Sequence, residues 1–329
     1  MGTNYEPLTI NQVNPMPYKE IDLSGLRTYS AAQRASKVAT NLEGRPPWAG
    51  ISMADFLDGL PAILKADELK AVARAIVAAR QAAKPIIVML GGHVIKTGCS
   101  PILVDMAAKG FVTHFASNGS AAVHDTELAC CGQTSEDVAA QLSDGSFGMA
   151  ADTATLINDG ARRAVRAGEG FGEAVGALLV AQKAPHRERA LLARAFEMKI
   201  PYTLHVAIGT DIVHQHPVAD GAAIGEASLR DFRIFAEAVS RLGRGGVVLN
   251  LGSAVIMPEV FLKALTVARN LGHDVFDFTS ANFDMIQHYR PRVNVIERPT
   301  LGGGRGYALT GHHEIMIPLL AAAVYEMSK

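Results

Sequence analysis

The chain has 329 residues, 49% hydrophobic and 19% charged, with a net charge of −1 and three cysteines. That is enough apolar content for one large α/β domain or two small ones, and the near-neutral charge offers no surface for nucleic acid. No apolar run reaches the roughly 20 residues of a membrane span, and Cys99, Cys130 and Cys131 form neither a disulfide framework nor a metal-type pair.

Residues 1–50 are polar and proline-rich and read as an N-terminal arm, leaving 51–329 as a single domain. The start of the chain has no apolar signal-peptide segment, so a cytoplasmic protein is expected. Residues 53–83 predict one helix, with Leu69, Val72, Ala73, Ile76 and Val77 at helical spacing and Asp67 as its N-cap. Ile86–Leu90, an apolar run between Pro85 and Gly91-Gly92, predicts a buried parallel strand. A glycine-containing loop, 91–99, follows. It feeds a helix with Ser100 as N-cap and Pro101 at its first position, ending at Gly110. A second strand, 111–116, leads through Ser117-Asn118-Gly119-Ser120 into a helix carrying His124, Asp125 and Glu127.

Residues 132–150 read as a polar, substrate-side loop, and 152–183 and 186–199 as helices. A strand at 201–208 precedes a long polar loop with Asp211, Asp220 and Glu226. Ser228 then predicts a helix cap, with Asp231 at the third position and Phe232, Phe235, Ala236 and Val239 turned inward. Val247–Leu251 is a strand ending in Gly252-Ser253-Ala254, and a helix runs from Pro258 to Leu271. Residues 275–278 predict a strand ending in Thr279-Ser280-Ala281-Asn282, and 293–297 a last strand before the glycine-rich run 301–306. A terminal apolar helix covers 318–327. Strands alternating with helices of this length predict a doubly wound, mostly parallel, Rossmann-like sheet.

Ligands bind such sheets at the carboxyl ends of strands, so the loops after the first two strands are the first candidates. The 91–99 loop matches neither G-x-x-x-x-G-K-[ST] nor G-x-G-x-x-G, and an ordinary glycine turn is its plain alternative. His124 and Glu127 lie three apart and share a helix face. A carboxylate beside an imidazole can hold a cationic amine, orient a ribose hydroxyl or tune proton transfer. A solvated helix face is the alternative. His214-Gln215-His216 and His312-His313-Glu314 lack the spacing of known metal motifs, so no metal site is assigned. Arg305 in the 301–306 run suits either an anion clamp or a flexible turn.

Over roughly residues 45–329 the chain resembles the deoxyhypusine synthase family. The segments carrying this resemblance are 90–98, Ser117-Asn118-Gly119-Ser120-Ala121 with Asp125 and Glu127, 200–211, Leu251-Gly252-Ser253-Ala254, 279–284 and Ile317-Pro318-Leu319-Leu320. The resemblance implies a Rossmann-like NAD-binding fold, a homotetramer with sites at subunit interfaces, and oxidation of a polyamine C–N bond. The family's imine-forming lysine has no counterpart. Residues 285–311 contain no lysine, only Arg290, Arg292, Arg298 and Arg305, and a guanidinium cannot form that imine. The family's histidine is also absent near Met257-Pro258-Glu259, so deoxyhypusine synthesis itself is not expected. Locally, residues 118–127 resemble the "GNALAVHDIE" segment of the NAD-dependent LOR/SDH-type ornithine cyclodeaminase family, with Lys96-Thr97-Gly98 where that family has "HTGG".

Both resemblances imply NAD and an amine. The expectation is an NAD-dependent enzyme acting on a C–N bond of a small cationic amine or amino acid, as a homo-oligomer. His124, Asp125, Glu127 and Lys96 are its candidate catalytic residues. Gly92, His93, Thr97, Ser117, Asn118, Gly119, Asp211, Gly252, Ser253, Thr279, Ser280 and Asp284 are its candidate cofactor residues. Two other readings remain open: a non-catalytic NAD-binding or assembly protein of this fold, and a metal-dependent hydrolase.

Overall fold

A computed structural model describes residues 18–329, so residues 1–17 of the expected arm lie outside the described residues. The chain divides into two compact units, Met1–Leu42 and Glu43–Lys329. In the first, Ala31–Gln33 and Thr40–Leu42 are single 3-10 turns, the former capped by the Ser30 hydroxyl. The division falls before residue 50 because residues 43–50 belong with the second unit: the Arg45 amide donates to the Gly59 carbonyl.

The second unit opens with α1 (Met53–Gly59) and α2 (Leu64–Gln81). These are two helices where the apolar spacing predicts one, since Pro61 and the positive φ of Leu64 (53°) break the run. Asp67 sits in the first turn of α2 and not at its cap. The chain continues through β1 (Ile86–Leu90), α3 (Gly92–Lys96), α4 (Ser100–Ala108), β2 (His114–Asn118) and α5 (Gly119–Cys131). The 91–99 segment is thus largely one helical turn, and Cys99, not Ser100, stands at the cap of α4.

Next come α6 (Val138–Leu142), α7 (Ala151–Ala167), α8 (Phe171–Ala181), α9 (Leu191–Met198) and β3 (Tyr202–His205). They are followed by α10 (Gly221–Ser240), β4 (Val247–Leu251), α11 (Ile256–Asn270) and β5 (Thr279–Asp284). A helical stretch over Tyr289–Pro291, Arg292–Glu297 and Arg298–Thr300, π-helical in its middle, leads to β6 (Arg305–Thr310) and α12 (His313–Met327). Among the described residues no helix is long and apolar enough to cross a membrane.

All six strands form one parallel sheet in the order β3-β2-β1-β4-β5-β6, the doubly wound arrangement the sequence predicts. Side chains alternate between two cores. Ile86, Val88, Leu90, Val247, Leu249 and Leu251 meet α2, α5, α8, α9 and α12 on one face. Ile87, Met89, Ala116 and Val248 meet α10, α11 and Val295 on the other. Burial on both faces explains why β1 is an unbroken apolar run and why β4 is interrupted only by Asn250, whose amide is paired inside.

Three sequence expectations about the sheet are corrected. The fifth strand is Thr279–Asp284, four residues later than the apolar run suggests. Its polar side chains are paired inside: Ser280 Oγ donates to the Val295 carbonyl at 2.6 Å, and Asn250 Nδ2 to Asn282 Oδ1 at 2.7 Å. Residues 293–297 are helical, as five apolar residues alone do not distinguish a strand from a buried helix turn. The last strand is β6, entered through Gly303 and Gly304 at φ 135° and 87°, so the glycine run is a tight turn with Arg305 at the amino edge of the sheet.

Two caps also differ. Asp220 and not Ser228 begins α10, accepting from the Ala222 and Ala223 amides. Ser228 instead bridges the free edge of β3, donating to Leu204 O and accepting from the Val206 amide.

Candidate active site

The order β3-β2-β1-β4-β5-β6 reverses direction between β1 and β4, and at that switch the chain leaves the two strands toward opposite faces. A crevice results at their carboxyl ends. Gly91 donates its amide to Leu251 O, and a Cβ on it would collide with the Gly252 carbonyl, so glycine is what lets these two strand ends meet. Gly92 and His93 open α3 here, and their amides have no acceptor within the helix. Gly252 takes φ 65°, with His313 at the start of α12 beside it. Ser253 uses its hydroxyl to receive the Met257 amide, and Asp284 closes β5 alongside.

Two buried polar atoms at this crevice have no partner among the described residues, Asn250 Oδ1 and His313 Nδ1. Burial holds the His313 imidazole below the usual histidine range, against the opposite pull of nearby Asp284. Asn250 is not singled out by its sequence context, because it lies in an otherwise apolar run, and His313 stands out only as part of the His312-His313-Glu314 cluster weighed as a metal motif.

Beside the crevice is a cavity of about 220 Å³ whose walls include Lys96, Ser120, His124, Glu127, Glu136 and Asp211. It is built on α5, the 135–147 segment and the loop after β3, with Lys96 added from α3. Asn118 caps α5, its Oδ1 accepting from the Ala121 amide and the Ser120 hydroxyl at 3.2 Å each. One turn on, His124 and Glu127 face the cavity from one side of α5, 3.9 Å apart between Nδ1 and Oε2. Burial raises the Glu127 carboxyl, but its contacts to His124, Thr134 and Thr153 hold it below the usual glutamate range.

Asp211 reaches in from the loop after β3. It is 8% exposed, its Oδ2 has no hydrogen-bond partner, and burial pushes its carboxyl up to about 6. It approaches so closely over Gly119 that any Cβ there would collide with the carboxylate. The pairing of Gly119 with Asp211 is therefore a geometric requirement and not merely a helix-start preference.

Lys96, His124, Glu127 and Asp211 thus come together, while Gly92, His93, Gly252, Ser253 and Asp284 lie at the adjoining carboxyl ends of β1, β4 and β5. The remaining expected site residues have other employment. Asp125 is fully buried, and its two oxygens accept from the Leu191 and Leu192 amides at 2.9 and 2.8 Å, capping α9. One residue along a helix turns a side chain by about 100°, so Asp125 points into the core while His124 points into the cavity. Ser117 is buried, accepting from the Tyr202 hydroxyl at 2.9 Å. Thr97 returns its hydroxyl to the His93 and Val94 carbonyls.

Thr279 and Ser280 lie at the amino end of β5, across the sheet from the crevice, because the strand begins where the sequence suggested it ended. Of the three loop carboxylates only Asp211 reaches the cavity, since Asp220 caps α10 and Glu226 pairs with Arg230. The histidine runs do not converge. His214 Nδ1 accepts from the Gly209 amide and His216 Nε2 contacts Gly148 O. Among the described residues no three His, Cys, Asp or Glu groups are placed to hold a metal ion.

Two larger openings, about 610 and 710 Å³, lie away from the strand carboxyl ends. One surrounds Tyr202 and Asp231 at the start of β3, and the other lies near Lys84, His114 and Arg241 on the amino side of the sheet.

No family model and no curated protein matches the sequence. Solved structures do share its fold. A chain described as a LOR/SDH protein from Methanococcus maripaludis S2 aligns with a TM-score of 0.51 at 16% identity, over 87% of this chain and 74% of its own. AgrE, solved as a ternary complex with ornithine and NAD+, aligns with a TM-score of 0.53 at 14% identity, over 79% of this chain. The alignment spans only 33% of AgrE. A chain described as a deoxyhypusine synthase from Entamoeba histolytica aligns with a TM-score of 0.46 at 10% identity, too low to carry weight. At these identities the shared property is the doubly wound α/β fold.

Proposed function

We propose that the protein is an NAD-dependent enzyme acting on the C–N bond of a small cationic amine or amino acid. The observation that carries this reading is Asp211, a buried carboxylate with an unpaired oxygen in the same cavity as Glu127 and His124, next to the β1/β4 crevice. A carboxylate in that state is incomplete without a cationic or donor group, and a substrate ammonium supplies both. Lys96 puts a cation at the rim of the same cavity, where the carboxylate of an amino acid would meet it. AgrE, whose complex holds ornithine and NAD+, has the same fold and supports the reading by analogy only.

Two features of the crevice support a dinucleotide there. Its glycines bring backbone to the strand ends, and the unpaired Asn250 Oδ1 and His313 Nδ1 are polar atoms awaiting partners. Gly92, His93, Gly252, Ser253 and Asp284 would hold NAD, which supplies a hydride acceptor when bound. The chain's own residues do the rest. Asp211 and Glu127 fix the ammonium, Lys96 orients the far end, and His124 moves the proton.

Titrating the purified protein with NAD, NADH and NADP by nicotinamide fluorescence tests the first half, with micromolar NAD binding expected. A screen of amines and amino acids, read by cofactor absorbance and ammonia release, tests the second. His124→Ala and Glu127→Gln should each cut turnover at least about 100-fold, with NAD affinity unchanged. Unaltered turnover in both variants refutes the assignment. NAD binding with no turnover on any amine would favour a non-catalytic protein of this fold.

A further inference from the structure

We infer that Thr134 is a positioning residue that fixes the tautomer of His124, making its Nε2 the proton acceptor in the amine site. The inference rests on the proposed amine chemistry for its purpose, but the geometry behind it is independent of any substrate. Helix α5 ends at Gly132, which takes φ 72° and turns the chain back across the face that carries His124 and Glu127. Two residues later the Thr134 hydroxyl lies between those side chains. It donates to Glu127 Oε2 and sits 2.7 Å from His124 Nδ1.

A hydroxyl has one hydrogen to give and two lone pairs. Glu127, held ionised by its contacts, can only accept, so the Thr134 hydrogen is committed to it. Thr134 Oγ1 can then only accept from His124, which requires the hydrogen of the neutral imidazole to be on Nδ1. Nε2 is left with a free lone pair. The other Glu127 oxygen accepts from the Thr153 hydroxyl at 3.4 Å, which keeps the carboxylate from rotating out of this chain of bonds.

The opposite edge of the ring faces the crevice. His124 Cδ2, the carbon bonded to Nε2, is 3.0 Å from where a Gly92 Cβ would be. The free lone pair therefore belongs to the ring edge at the junction of cavity and crevice. A bound substrate ammonium, R–NH3+, gives one proton to Nε2 and becomes R–NH2, while His124 becomes imidazolium. The new positive charge faces the Glu127 carboxylate through the Thr134 hydroxyl, so the proton transfer separates no uncompensated charge.

The test needs neither substrate nor nucleotide. In protein labelled with nitrogen-15 histidine, long-range proton–nitrogen correlation spectra report which ring nitrogen carries hydrogen, and His124→Asn identifies the residue's signals by their loss. The expected result is a single Nδ1–H tautomer in the native protein and in Thr134→Ser, replaced by a mixed or Nε2–H pattern in Thr134→Val. An Nε2–H tautomer in the native protein, or an unchanged pattern in Thr134→Val, overturns the inference. Once a substrate is found, Thr134→Val should lose about 100-fold in kcat with little change in KM, and Thr134→Ser should restore it. Preserved tautomers without any amine turnover would leave the role of Thr134 standing while refuting the proposed reaction.

Discussion

Replacing Asp231 by alanine should destabilise the protein by about 4 kcal/mol, a large share of the roughly 5–15 kcal/mol that holds a typical domain folded. Asp231 is fully buried on α10 and ties three elements together. Its oxygens accept from the Phe171 and Gly172 amides at the start of α8, 3.0 Å each, and from the Leu204 amide of β3 at 2.6 Å. Alanine would leave three buried donors unsatisfied, at about 1–3 kcal/mol each, less the relief of no longer burying a carboxylate. That relief is real, because burial drives the Asp231 carboxyl up to about 7 against the pull of its three amide bonds. Urea unfolding monitored by circular dichroism checks the prediction. Asparagine, which keeps one acceptor oxygen, should fall between aspartate and alanine. A loss below about 1 kcal/mol for alanine would mean that water or a local shift satisfies these amides.

Asp211→Asn should do the reverse and stabilise the protein, by about 2–3 kcal/mol at pH 8. The folded pKa of Asp211, about 6, lies above its reference value of 3.8. Between those values the folded state binds the proton more tightly than the unfolded state, so this group's contribution is most favourable below the lower value and is lost as pH rises through the upper one. Asparagine does not titrate. The melting temperatures of the two proteins should therefore coincide near pH 4 and separate by about 5 °C at pH 8, the variant being higher. The same substitution should weaken amine binding, since it removes the charge the cavity offers. Stability gained and affinity lost together are the mark of a group kept for function. Equal melting temperatures at pH 8 would show that Asp211 bears no burial cost, and its role in the proposed site would lose its physical basis.

Most of the fold was legible where burial dictates residue type. Ile86–Leu90 and Val247–Leu251 are buried on both faces, so their sequences are apolar but for Asn250 and their bounds are found directly. Legibility failed where polar groups satisfy each other inside the sheet. Nothing in Thr279-Ser280-Ala281-Asn282 reveals that Ser280 will meet the Val295 carbonyl or that Asn282 will meet Asn250. Half-exposed β6 carries no apolar run, and its glycine approach reads as loop.

At the site, helical spacing correctly placed His124 and Glu127 on one face. It could not separate His124 from Asp125, whose carboxylate is recruited by a helix end far along the chain. Thr134 was invisible for a related reason. Its position depends on the left-handed turn at Gly132, and ten residues of sequence separation carry no sign of a contact.

The crevice at the β1/β4 switch also has a consequence for how the molecule assembles itself. Ile86 pairs with Val247 across that seam, although strands β2 and β3 and helices α3–α10 lie between them in sequence. Closing this seam is a long-range event with a high entropic barrier, and it follows naturally on the more local pairing of β1 with β2 and of β4 with β5. Until it closes, the interior edges of two half-sheets are open, and this is when the chain is most exposed to mispairing. A ligand seated across the strand ends would touch both halves at once. It would act as a clasp on the slowest-formed joint, slowing unfolding more than it speeds folding.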